Sequence, residues 1–245
     1  MPHGTPDWGL TGPKYTTYGL DDMAEQAVRL GSPHLFDRRG DVIWMTDFRN
    51  GRQDIHEYNT PANGTVNLWA GNARQGAFCA QLAALTGLAM GLQKPIAYPV
   101  LSRIGLEFTF SIHLRSNYIV GQILADDAVN MMEAFVRYDE GNDVLEYRDN
   151  VGVGFWQNIA SNLNLGHTDY AFHTLKIVAD LGATPPAFVR VILNDVTYNA
   201  VAGIPLRLGA TAGMTYLYVR IEHEADGAGD AEIQVDNIIV TQNEP

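Results

Sequence analysis

The chain has 245 residues, 46% of them hydrophobic and 18% charged, a balance that suits a globular core with a weakly charged surface. Its formal net charge of −12 argues against nucleic acid as the main partner, because phosphate binding requires clustered Lys and Arg. Cys79 is the only cysteine, so neither an intrachain disulfide nor a thiolate metal cluster is expected. No apolar run reaches the ~18 residues of a membrane span. We therefore expect no membrane partner, and the N-terminus shows no secretion signal.

The first 40 residues form a predicted N-terminal arm that is rich in Gly and Pro. One short helix is expected over residues 21–30, with Asp21 able to cap its start and Gly31 placed to end it. An arm of this composition cannot bury a core of its own, so it needs anchors on another surface. The candidate anchors at an assembly interface are its aromatic residues and the apolar helix face: Trp8, Tyr15, Tyr18, Met23, Ala27 and Leu30.

From residue 41 to residue 245 the hydrophobic period changes to two, which predicts a domain made of β-strands. Asn194-Asp195 predicts a tight hairpin, because both residue types tolerate positive φ. Many short strands without interleaved helices indicate an antiparallel β-sandwich. The predicted strands are Val42–Asp47, Gly64–Ala70, Ala77–Leu85, Ile104–Leu114, Tyr118–Ala125, Met131–Tyr138, Val144–Arg148, Phe155–Ala160, Phe172–Leu181, Ala187–Leu193, Val196–Asn199, Leu206–Leu208, Met214–His223 and Glu232–Thr241.

Four segments of this domain resemble the strands of jelly-roll domains of the concanavalin A-like lectin, glucanase and carbohydrate-binding-module type. They are residues 42–51, 73–82, 173–194 and 231–240. The resemblance implies an all-β jelly-roll sandwich. It also implies a structural calcium ion, held by Asp236 on the last strand and Asp47 near the first, since hard oxygen ligands suit that ion. The alternative is that Asp236 simply accepts a hydrogen bond from a neighbouring backbone N–H.

A sugar-binding face would need exposed aromatic residues beside polar partners. Trp44 and Trp69 lie in apolar strand runs, so we expect both in the core. The best polar and aromatic stretch is the predicted strand Phe155–Ala160 with the loop after it, although an ordinary strand and its loop would look the same. Its candidate carbohydrate-binding residues are Trp156, Gln157, Asn158, Asn162 and His167.

Catalytic motifs are missing from the sequence. Retaining glucanases of the jelly-roll type carry Glu-x-Asp-x-x-Glu on one strand face, and this chain has no such pattern. Glu232 and Asp236 are four residues apart on one strand, so about 13 Å of strand rise separates their carboxylates. That distance is too long for the carboxylate pair of either a retaining or an inverting glycosidase. Glu222 and Glu224 are predicted to be solvated charges at a strand end. We therefore expect that the protein is not an enzyme, with a glycan-degrading enzyme of the glucanase-like fold as the least favoured function.

Residues 18–23 and 36–41 resemble proteins encoded among the structural genes of tailed phages. Ordering the arm costs about 1–2 kcal/mol per residue in backbone entropy, which contacts with neighbouring subunits would offset. The main prediction is thus a structural subunit on a virion surface or a capsid-decoration protein. Its partners would be copies of itself or other virion proteins, assembled in the host cytoplasm. An arm folded onto its own sandwich, and a lectin resembling a carbohydrate-binding module, remain the alternatives.

Overall fold

The computed structural model describes residues 39–52, 55–59, 61–74, 78–97, 102–114, 116–149, 155–166, 171–226 and 229–245. These residues form sixteen β-strands and two short 3₁₀ turns, Pro61–Asn63 and Asn199–Val201. Residues 1–38 of the predicted arm, with its helix and its anchors Trp8, Tyr15, Tyr18, Met23, Ala27 and Leu30, lie outside the described residues, as does His167. In the described part of the chain, no helix has the length and apolar character that a membrane crossing requires.

The strands follow each other along the chain with short connections. Their bounds are β1 Asp41–Thr46, β2 His56–Tyr58, β3 Gly64–Trp69, β4 Cys79–Ala84, β5 Ala89–Ile96, β6 Arg103–Leu114, β7 Ser116–Asp127, β8 Met131–Asp139, β9 Val144–Arg148, β10 Trp156–Ser161, β11 His173–Asp180, β12 Ala187–Leu193, β13 Val196–Tyr198, β14 Arg207–Gly209, β15 Thr215–Ala225 and β16 Ala231–Gln242.

Two eight-stranded sheets with antiparallel pairing make up the sandwich. Sheet A has the order β13-β12-β11-β6-β16-β4-β3, and β1 pairs with β16 beside β4. Sheet B has the order β10-β9-β8-β7-β15-β5-β2, and β14 pairs with β8. The expected all-β jelly-roll sandwich of the concanavalin A-like type is confirmed.

The core lies between the two sheets, because alternate side chains of each strand point to opposite faces. In β6, Leu106, Phe108 and Phe110 are buried between the sheets, while Glu107 and Thr109 lie on the outer face of sheet A. The outer face of sheet B alternates in the same way. This alternation places every polar site described below on an outer face.

All fourteen predicted strands are present, with end points shifted by at most a few residues, but the sequence did not indicate β2 and β5. β5 contains Gly91 and Pro95, which usually argue against a strand. Pro95 is tolerated because it has a strand neighbour on only one side, where it pairs with Tyr218 of β15. On the other side of β5, β2 pairs only with residues 91–93. The predicted hairpin is confirmed, with Asn194 at φ 55°.

The C-terminus packs into the outer face of sheet A through a buried ion group. The Glu244 carboxylate contacts the Lys176 ammonium at 2.7 Å and also the Arg190 guanidinium, and all three side chains are nearly inaccessible. Thr241 donates its hydroxyl proton to the same carboxylate at 2.5 Å. Any larger residue at position 105 would clash with this ion group, because a Cβ on Gly105 would lie 2.3 Å from Thr241 Oγ1. The chain end is therefore an integral part of sheet A.

Candidate functional site: the outer face of sheet B

The outer face of sheet B combines aromatic and charged side chains above an apolar floor. In β15, Leu217, Val219 and Ile221 face the core, so the intervening residues Tyr218 and Arg220 face outward. Three buried side chains from β7 and β8 form this floor: Val120, Leu124 and Phe135. The partly buried rings of Tyr118, Trp156 and Tyr218 pack against it. An apolar floor with a few convergent polar groups is typical of ligand-binding surfaces.

Strand register aligns one residue from each of seven strands of sheet B, all except β14, in a row across this face. Antiparallel partners that stand opposite each other point to the same side of the sheet. With neighbouring strands ~4.8 Å apart, a row over seven strands is roughly 29 Å long. We call the set the transverse row; in order from β2 to β10 it contains His56, Gln93, Arg220, Gln122, Phe135, Arg148 and Trp156. Arg148 is placed level with Phe135 by extending the printed β8–β9 register one residue beyond Val136 and Tyr147.

Arg220 is the centre of the β2 half of the transverse row. Its Nε and Nη2 donate to Gln93 Oε1 at 3.1 and 2.7 Å, and its Nη1 donates to Gln122 Oε1 at 3.2 Å. The Tyr58 ring stacks on the guanidinium, with Cζ 3.4 Å from the ring centroid. Burial lowers the pKa of Arg220, an effect that the charges of Tyr58 and Glu222 oppose, and a guanidinium remains protonated in proteins.

The two glutamines leave a cluster of N–H donors beside this fixed cation. Because the amide oxygens of Gln93 and Gln122 face Arg220, their Nε2 groups point elsewhere, and neither donates a hydrogen bond within the described part of the chain. Arg220 itself uses three of its five N–H groups in these contacts. The arrangement can therefore offer guanidinium and amide donors together to an anionic oxygen.

Glu222 lies beside this cluster, two residues after Arg220 on the same face of β15. Burial raises the pKa of its carboxyl to about 7, Arg220 opposes that shift, and Glu224 adds to it. Across the sheet it faces Gly91 of β5, which has no side chain to cover it, and Val120 of β7. The expectation that Glu222 is merely a solvated strand-end charge is wrong, because the strand continues to Ala225 and the carboxyl sits well inside the sheet.

Trp156 forms the β10 end of the transverse row. The guanidinium of Arg137 lies over its ring at 4.4 Å, and it also donates to Glu146 at 2.8 Å. Arg148, its neighbour in the row, lies over Phe135 at 5.2 Å, and its buried Nε has no hydrogen-bond partner among the described residues. Trp156 thus belongs to the same surface as Arg220, with one ring face covered by a cation.

The other residues predicted to bind carbohydrate together with Trp156 are less available to a ligand on this face. Gln157 points to the opposite side of β10 and donates to Asp149 at 2.9 Å. Asn158 shares the outer face but donates to Ser161 at 2.7 Å. Asn162 follows the strand, and its φ of 60° places it in the left-handed backbone region. The structure therefore brings Trp156 and Asn158 to the sheet B face, while His167 lies outside the described residues.

The predicted calcium ligands are positioned by neighbouring strands of sheet A, with Asp236 inside β16 and Asp47 directly after the end of β1. Thr46 pairs with Ile238, so Asp47, one residue further, lies level with Asn237. Asp236 is fully buried and accepts the Asn237 N–H at 2.8 Å, while the buried Asn237 Oδ1 has no partner among the described residues. Asp47 accepts from Arg49 at 2.8 Å. These oxygens suit calcium in kind, yet no three His, Cys, Asp or Glu side chains converge in the described ranges. Calcium stays a prediction.

The residues that build the Arg220 cluster were missed by sequence reasoning. A signal was present in β15, where Tyr216, Tyr218, Arg220, Glu222 and Glu224 alternate with core residues, a period-two pattern with one aromatic and charged face. The glutamines and Tyr58 had no such signal, since they come from strands far apart in sequence. Trp69 was predicted in the core, which is wrong: it is 45% exposed on the outer face of sheet A.

Comparison with known proteins relates this fold to carbohydrate-active proteins. No family model and no curated protein matches the chain. Among solved structures, an endo-β-1,4-glucuronan lyase from the fungus Trichoderma reesei has a TM-score of 0.55 at 14% identity, covering 82% of this chain and 96% of that one. The cellulose-induced protein Cip1 has a TM-score of 0.55 at 16% identity, with 81% and 96% covered.

A plant lectin, I-B4 from Griffonia simplicifolia, is similar over 82% of this chain and 97% of its own, with 14% identity and a TM-score of 0.49.

The expectation that the protein is not an enzyme is corrected by the similarity to the glucuronan lyase, because that protein carries the same fold. The missing Glu-x-Asp-x-x-Glu pattern excludes only one glycosidase chemistry, and lyases do not need it.

Proposed function

We propose that this protein binds an anionic glycan along the outer face of sheet B, with the uronate or other acidic group held at Arg220. The observation that carries the proposal is the donor cluster: one immobilised guanidinium flanked by two glutamine amides whose N–H groups have no partner in the described part of the chain. Hydrogen bonds between a cation and a carboxylate are about twice as strong as neutral ones. The similar fold of a glucuronan lyase supports the ligand class.

The remainder of the transverse row suits the body of such a ligand. Tyr58 lies on β2 beside one end of the row and Trp156 forms the other end, and the apolar floor between them can contact the faces of sugar rings. A row roughly 29 Å long accommodates several sugar residues of an extended chain. Arg220 and Arg148 supply local positive charge against the net charge of −12, whereas Arg137 is paired with Glu146.

Calorimetric titration with acidic oligosaccharides, namely oligoglucuronate, oligogalacturonate and alginate oligomers, tests the proposal against neutral cello-oligosaccharides. We expect Arg220→Gln to weaken acidic-glycan binding by at least about tenfold, equal to ~1.4 kcal/mol. Glutamine can still hydrogen-bond its neighbours, which protects the fold. Arg103→Gln is the matched control, since it removes a partly exposed Arg that pairs with Asp180 on sheet A. Equal binding by wild type and Arg220→Gln, or no acidic ligand at all, would refute the proposal.

Cleavage of the bound glycan by β-elimination is a second candidate function, and the Glu222 environment favours it. A carboxyl with a pKa near 7 beside an anion-binding cation matches a general base that works at neutral pH. In such a step Glu222 takes the proton next to the uronate carboxyl, the bond to the leaving oxygen breaks, a carbon–carbon double bond forms, and water protonates the leaving oxygen. Ultraviolet absorbance of the unsaturated product measures it. Glu222→Gln should abolish turnover and retain binding; absence of product with every acidic polymer tested contradicts this second function.

A further inference from the structure

A separate pocket opens on the outer face of sheet A, on the opposite side of the sandwich from Arg220. It has a volume of about 270 Å³ and lies where β3, β4, β16 and β6 meet the loop after Trp69. Ligand pockets usually run from ~300 to 1,000 Å³, so this one suits one or two sugar rings. The described residues that line it are Trp69, Gly71, Asn72, Gln81, His113, Glu232 and Gln234.

The polar wall of the pocket is held in place by its own hydrogen bonds. Gln81 and Gln234 both donate to Glu232 Oε1, at 2.7 and 3.0 Å, and Asn72 donates to Gln234 Oε1 at 2.9 Å. Asn72 and Gln234 are buried, so these amides have little freedom to reorient. Glu232 Oε2 and Gln81 Oε1 accept no hydrogen bond from the described residues. The wall is therefore a pre-organised set of acceptors.

Trp69 supplies an apolar face beside these acceptors. The indole folds against Gly71, where an added Cβ would lie 2.6 Å from Nε1, so only glycine at position 71 permits this placement. The side chain remains 45% exposed, although a large aromatic on a strand is usually covered. An exposed indole next to fixed polar groups contacts the C–H face of a sugar while its hydroxyls reach the polar wall.

We propose that this pocket binds a neutral sugar residue of a glycan, at a site independent of Arg220. The charge of Glu232 selects the ligand class: a carboxylate accepts hydrogen bonds from sugar hydroxyls but repels a uronate or sulfate. Among the described residues lining the pocket, none is Lys or Arg, so an anionic group would find no permanent cation there to offset the charge of Glu232. The two faces of the sandwich thus differ in ligand: acidic groups on sheet B, neutral hydroxylated rings on sheet A.

An array of neutral oligosaccharides of glucose, xylose, mannose and galactose, followed by calorimetry on the best ligand, tests this site with the full chain. Trp69→Ala should weaken binding at least about tenfold, and Trp69→Phe should weaken it less because a ring remains. Glu232→Gln, which keeps the shape of the wall, provides a second variant with several-fold weaker binding if Trp69→Ala fails to fold. Phe155→Ala is the matched control, since Phe155 is an exposed aromatic in a loop before β10.

The result is separable from that of the Arg220 experiment. Trp69→Ala should leave acidic-glycan binding unchanged, and Arg220→Gln should leave neutral-sugar binding unchanged. If the wild-type chain binds no neutral sugar on the array, or if the Trp69 and Glu232 variants bind as tightly as wild type, the pocket is not a sugar site. Loss of neutral binding in Arg220→Gln instead would place the ligand on sheet B and overturn the inference.

Discussion

Replacing His223 with leucine should remove an acid sensitivity from the core. His223 lies on the inner face of β15, opposite Met90 of β5 and Ile119 of β7, with no exposed surface. The Leu82 backbone is the polar group beside the ring and opposes the lowering of the histidine pKa, but neither ring nitrogen makes a well-formed hydrogen bond among the described residues. Burial lowers the pKa of the imidazole to about 3. In the unfolded chain the same group has a pKa near ~6.5, so the folded protein excludes a proton that the unfolded chain binds.

The sign and size of the effect follow from proton linkage. Below about pH 6.5 the unfolded state gains a proton and the folded state does not, so stability is lost as pH falls, by ~1.4 kcal/mol per unit. Between about pH 7 and pH 5 the loss assigned to His223 is about 2 kcal/mol. Glu222 acts in the opposite direction, because its raised pKa makes the folded state take up a proton in that range. Only the difference between wild type and variant isolates the histidine.

Urea unfolding of wild type and His223→Leu near pH 7 and near pH 5 measures that difference. Leucine has a similar volume and no polar atoms to leave unpaired, so the variant should be at least as stable near pH 7. We expect wild type to lose about 2 kcal/mol more than the variant on acidification. Equal losses, within about 0.5 kcal/mol, would show that His223 is protonated or solvated in the folded protein and would refute the reasoning.

Two further predictions concern the packing of the sandwich. Glu244→Gln removes the carboxylate that Lys176 and Arg190 both contact. The free energy of unfolding, measured by denaturant titration, should therefore fall by about 3–5 kcal/mol. A change below about 1 kcal/mol would mean that the chain end is not part of the fold. Gly121→Ala puts a Cβ within 2.7 Å of a core phenylalanine and should cost about 1–3 kcal/mol, whereas Gly229→Ala, with nothing within 4 Å, should be near neutral. Equal melting temperatures for the two glycine variants would contradict the packing described for Gly121.

Strand positions could be predicted from the sequence wherever alternation was regular. β9 and β12 have the predicted bounds, since Val144–Arg148 and Ala187–Leu193 each follow a clear turn signal. β5 was missed because Gly91 and Pro95 interrupt its pattern, and only the strand order explains why Pro95 is tolerated there. Short β2 gave no periodic signal at all.

The candidate sites depended on information that local pattern does not contain. Gln93, Gln122 and Arg220 are separated by about thirty and a hundred residues in sequence, and they meet because β5, β15 and β7 are adjacent in sheet B. Trp69 was assigned to the core from its apolar neighbours, but β3 is an edge strand, so its outward residues remain exposed. The proposed assembly through the N-terminal arm stays a prediction.

The central claim is that Arg220 and its glutamine partners contact an acidic group of a glycan. A nuclear magnetic resonance titration with an acidic hexasaccharide, observing side-chain N–H signals, tests this contact most directly. We predict that the Arg220 Nε–H and the Nε2 amide signals of Gln93 and Gln122 shift with the same saturation curve, and that the uncharged reduced oligosaccharide leaves them unchanged. Shifts confined to other side chains, or identical shifts with the uncharged ligand, would contradict it.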